Sequence, residues 1–202
     1  METIACGDKP KTLQTIAYIS IPESVDLEFL LWDLQDAIAA YARLSGTALP
    51  RPIDLKANDA GAADGIVLAV DDAFDDEAMI AVEQILDRFG STGTRVYAVI
   101  RAAQEGAEQA RGAAVRLHKA CERQGQLWCG GVVICAGSGI AALRRSPLVG
   151  AVRMGCSVEH AQKLGGAATG GADTDGMVRA EPALPTPIWH AVMRRLAKHS
   201  NC

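Results

Sequence analysis

The stretch Leu127 to Ala142, LWCGGVVICAGSGIAA, runs from an apolar strand pattern into Gly137-Ser138-Gly139, the residues whose type and spacing come nearest to ligand chemistry. With Ala142 they satisfy G-x-G-x-x-A, and Glu159 follows about 20 residues later, where a ribose-binding acid would be sought. That fingerprint belongs to the first βα unit of a six-stranded fold, whereas only about 60 residues follow Gly139. The glycines are read as the turn ending a buried strand, at the carboxyl edge where open sheets bind ligands. Ser138 lies in A-G-S-G-I, not in the G-x-S-x-G of a hydrolase elbow. The acids Asp71, Asp72, Asp75, Asp76 and Glu77 open a helix after an apolar run and suit its positive end, with divalent-metal binding as the alternative. His118, His160, His190 and His199 show no ligand spacing, and no metal site is expected. Six cysteines without a C-x-x-C read as small apolar residues; Cys129 and Cys135, six apart, are expected on one strand face.

The elements that position these residues follow from periodicity. Thr15 to Ile21 is rich in β-branched and aromatic residues, as strands are. Leu27, Leu30, Leu31, Leu34, Ile38 and Tyr41 step by three and four, which is a helix stopping at Gly46. Ile53 to Leu55 offers a short second strand, and Gly65 to Val70 is a continuous apolar run suited to a parallel strand covered on both faces. A helical stripe from Met79 to Phe89 closes at Gly90. Arg95 to Ile100 makes a fourth strand, Ala110 to Gln124 a helix, and Leu127 to Cys135 a fifth strand. Such alternation requires crossovers and predicts a three-layer α/β domain with about five parallel strands. Residues 1–13 read as a tail and 14–202 as one domain, with a C-terminal helical extension from about 148. There, Leu148 to Leu164 suits a helix, Gly165 to Gly176 a loop, Met177 to Ala180 a short strand, and Ile188, Val192 and Leu196 a final amphipathic helix.

A net charge of −4 with interspersed signs gives no basic field for nucleic acid. The start lacks a signal-like apolar region and glycines interrupt the apolar stretches, so no membrane is expected and the cytoplasm is the expected location.

The order of elements and the segment from Val96 to Ile140, VYAVIRAAQEGAEQARGAAVRLHKACERQGQLWCGGVVICAGSGI, resemble the flavodoxin-like NAD(P)H-dependent oxidoreductases of FMN reductase type. The ending EPALPTPIWHAVMRRLAKHS is similar to that family's C-terminal helix. The resemblance implies a flavodoxin-like α/β/α fold with a five-stranded parallel sheet. It also implies FMN at the carboxyl edge, NAD(P)H as co-substrate, a small-molecule or flavin acceptor, and a homodimer. The flavin would carry the hydride, so no catalytic side chain is named. Carried onto this chain, it makes Ser20 and Ser24 phosphate partners and Phe74 the stacking residue, with Arg101, Gln104, Gly137, Ser138 and Gly139 as the remaining cofactor-binding residues.

The loops depart from that pattern. Ser20-Ile21-Pro22-Glu23-Ser24 stands where the family has Gly-Ser-Pro-Arg, and Glu23 would repel a dianion. Asp71-Asp72-Ala73-Phe74 replaces a loop bearing proline and an aromatic residue, and Arg101 to Gly106 replaces Asn-Cys-Gly-Phe-Tyr-Glu. These departures keep open a flavin-free binding or interaction protein of the same fold. A phosphate-receiving domain built on Asp71 and Asp72 is a further alternative, one that lacks a paired acid after the first strand.

Overall fold

The computed structural model of the chain describes residues 13–46, 48–53, 63–102, 107–134, 140–141, 177–180 and 191. Among the described residues, six parallel strands form one sheet in the order β2-β1-β3-β4-β5-β6: β1 Thr15–Ile21, β2 Arg51–Pro52, β3 Gly65–Asp71, β4 Arg95–Arg101, β5 Leu127–Ile134 and β6 Met177–Ala180. The order of the first five is that of flavodoxin-like doubly wound sheets, and β6 extends it beyond β5. Helices α1 (Val25–Ser45), α2 (Asp76–Phe89) and α3 (Ala107–Gln124) link or follow these strands.

Strand alternation sorts the side chains into two cores. Ile16, Val67, Ala69 and Val99 face Leu27, Leu30, Leu31 and Leu34 of α1. Ala17, Ile19, Ile66, Leu68, Val96 and Ile100 pack with Val82 and Leu86 of α2 and Ala114 and Leu117 of α3. Helices therefore cover both faces, which is why β3 is apolar at every position from Gly65 to Val70. Fully buried Leu68, Ile66 and Ile100 contribute about 1.5–3 kcal/mol each. At the opposite, amino edge, Asp64 Oδ2 accepts from the Thr15 amide and hydroxyl, both at 2.9 Å, and so ties the start of β1 to β3.

The elements differ from the sequence reading in the second strand and in the register of β5. The second strand is described as Arg51–Pro52, just ahead of the expected start at Ile53: the Arg51 amide donates to Gln14 O and the Ile53 amide to Ile16 O of β1, and the intervening Pro52, which has no N–H, needs no partner on the outer edge. Asp54 and Leu55 of the expected strand lie outside the described residues. Gly90 ends α2 as expected, in an extended conformation, φ −88°, so its small size is what matters: a Cβ there would run into Leu86 O and the Gln126 amide. In β5 the register slips, with Val96 opposite Trp128 but Ala98 opposite Gly131. This bulge places Trp128 with the α2/α3 core while Val132 and Ile134 face α1. Unbroken alternation between Cys129 and Cys135 therefore does not hold, and Cys135 lies outside the described residues. The short strand read at Met177 to Ala180 is present as β6 and joins the five parallel strands beside β5.

The helix expected over 148–164, the loop over 165–176 and, apart from Ala191, the final helix lie outside the described residues. Among those described, no helix is long and apolar enough to cross a membrane.

Candidate functional site

Parallel strands bring their carboxyl ends to one edge, and the order reverses between β1 and β3, where sheets of this kind leave a crevice. Asp71 and Arg101 are register partners at the ends of β3 and β4. By alternation both belong with Val67, Ala69, Tyr97 and Val99 on the face covered by α1. Helix α1 starts two residues after Glu23 and sets Asp26 in its first turn above that same edge.

These three side chains meet. Arg101 Nε donates to Asp71 Oδ1 at 2.5 Å, and Arg101 Nη1 donates to Asp26 Oδ2 at 2.6 Å. The second Asp26 oxygen accepts the Ala141 amide at 2.8 Å, so one carboxylate joins α1, β4 and Ala141. The backbone extends the ladder, with Asp72 N donating to Arg101 O and Ala102 N to Ile134 O. The Arg101 side chain is 18 % exposed. Burial works against its charge, but Asp71, Asp26 and Asp72 outweigh that and hold the guanidinium's pKa above its usual range. Two carboxylates thus share one cation.

Of the residues expected to hold a cofactor, Arg101 lies in this cluster. Ser24 is the N-cap residue of α1; its carbonyl accepts from Glu28 N at 2.9 Å and its hydroxyl makes no capping bond. Ser20 is half-buried near the end of β1, in the wall of a cavity of about 510 Å³ that Tyr18, Glu23, Trp32, Ile53 and Phe89 also line. Phe74 is elsewhere. It is 8 % exposed, it belongs to the α2/α3 core on the other face of the sheet, and Arg116 Cζ lies 5.3 Å from its ring centroid. The structure does not bring Phe74 and Arg101 together. Gln104, Gly137, Ser138 and Gly139 lie outside the described residues.

The acidic run does structural work. Asp75 Oδ1 caps α2 by accepting Ala78 N at 2.8 Å, and Arg116 of α3 donates to Phe74 O at 2.8 Å and to Asp76 Oδ1 at 2.6 Å. Among the described residues, no three His, Cys, Asp or Glu side chains are grouped as metal ligands. A cavity of about 660 Å³ is lined by residues of α2 and α3; of its cations, Arg116 pairs with Asp76 and Arg123 with Glu83.

Asp26 was the residue that sequence reasoning missed. Its signal was the order strand, Pro-Glu-Ser, then an acid in the first helical turn, which reads equally well as ordinary dipole compensation. An FMN phosphate seated at this helix start would meet the Asp26 carboxylate with Glu23 and Glu28 nearby. Like charges 4 Å apart repel by about 4 kcal/mol at an effective dielectric of 20. The described residues do not fit a phosphate dianion at that position.

Comparison with protein families, with curated proteins and with solved structures finds no match to the chain.

Proposed function

We propose that the chain is a flavin-free binding or interaction protein on a flavodoxin-like scaffold. The observation that carries this reading is the Asp26–Arg101–Asp71 cluster: the cation expected to offset a ligand's phosphate is already engaged by two of the chain's own carboxylates. Among the described residues of the crevice, the Arg101 charge that would draw an anionic cofactor is thereby already compensated. Purified protein is expected to be colourless and to lose added FMN on dialysis, and added NADH or NADPH should not be consumed.

A second reading, an FMN-dependent NAD(P)H oxidoreductase passing a hydride to a small-molecule or flavin acceptor, is favoured by one observation: the strand order reverses between β1 and β3. It requires the flavin to be held away from the start of α1, by residues such as Gln104 and Gly137 to Gly139. With it come the expectations of a cytoplasmic homodimer. A flavin spectrum that survives dialysis, with NAD(P)H oxidation, would replace the first reading by this one; a monomer mass by light scattering would count against the dimer.

A further inference from the structure

We draw no further inference here: the strongest candidate, the surplus of carboxylate over guanidinium in the Asp26–Arg101–Asp71 cluster where α1 begins, belongs to the site already described and is an acidic cluster at a helix start with no second observation pointing to a ligand.

Discussion

Arg101 joins two carboxylates that would otherwise face each other across the crevice, so its removal tests whether the cluster contributes to stability. Charge-assisted hydrogen bonds contribute about 1.5–3 kcal/mol each, and partial exposure reduces this, so Arg101→Gln should cost about 3 kcal/mol in urea unfolding. A loss below about 0.5 kcal/mol would mean that the ion pairs contribute nothing net. The buried thiol and phenols give a second test. Burial pushes Cys121 from 9.0 up to about 12, and Tyr18 and Tyr97 from 10.0 up to about 12. Because the folded state holds these protons more tightly, their stabilisation is complete below pH 9. It is lost as pH rises from there towards 12, where the unfolded chain binds fewer protons. Unfolding free energy should fall across that window by up to about 1.4 kcal/mol per pH unit for each group, and thermal midpoints with it; a flat profile would contradict the burial of these side chains. At pH 8 the Cys121 thiolate is scarce, so iodoacetamide should label it only after unfolding, as peptide mass spectrometry would read.

Among the elements, β1, β3, β4 and the helices were legible because each carries its own signal, a β-branched run or a three-and-four stripe. The β5 bulge was not, since LWCGGVVI reads as one uninterrupted strand and the slip is set by its neighbour. Gly131 shows how: any Cβ there would strike the backbone of Ala98, so β4 can approach only a glycine. Gly131→Ala should destabilise the protein by about 1–3 kcal/mol or abolish folding. Gly112, within α3 with open space around its Cβ position, makes the internal comparison. Gly112→Ala should stabilise by about 0.4–1 kcal/mol, because alanine lowers the entropy of the unfolded chain without a clash. Equal effects at the two positions, measured by denaturant midpoint, would contradict the bulge geometry.

Across the whole molecule, the layered architecture could be read before the site could. Fold order follows from element type repeated along the chain, which periodicity reports locally. The site depends on side chains far apart in sequence: Asp26 meets Ala141 across 115 positions and Arg101 across 75, and no local pattern announces either contact. Phe74 shows the same limit in reverse. The resemblance made it the residue that stacks on a flavin, but Arg116 from α3 lies over it and the core takes it in. What the described residues present at the carboxyl edge of this flavodoxin-like sheet is an arginine, Arg101, paired with the chain's own Asp26 and Asp71.

Calorimetric titration of FMN into the purified protein tests that claim most directly, with inorganic phosphate as a parallel probe of the helix start. No binding heat with either, and no flavin retained on gel filtration, is the result expected of a flavin-free protein. Saturable one-to-one FMN binding that resists dialysis would contradict the account and show that the cofactor is held despite the carboxylates of Asp26 and Asp71.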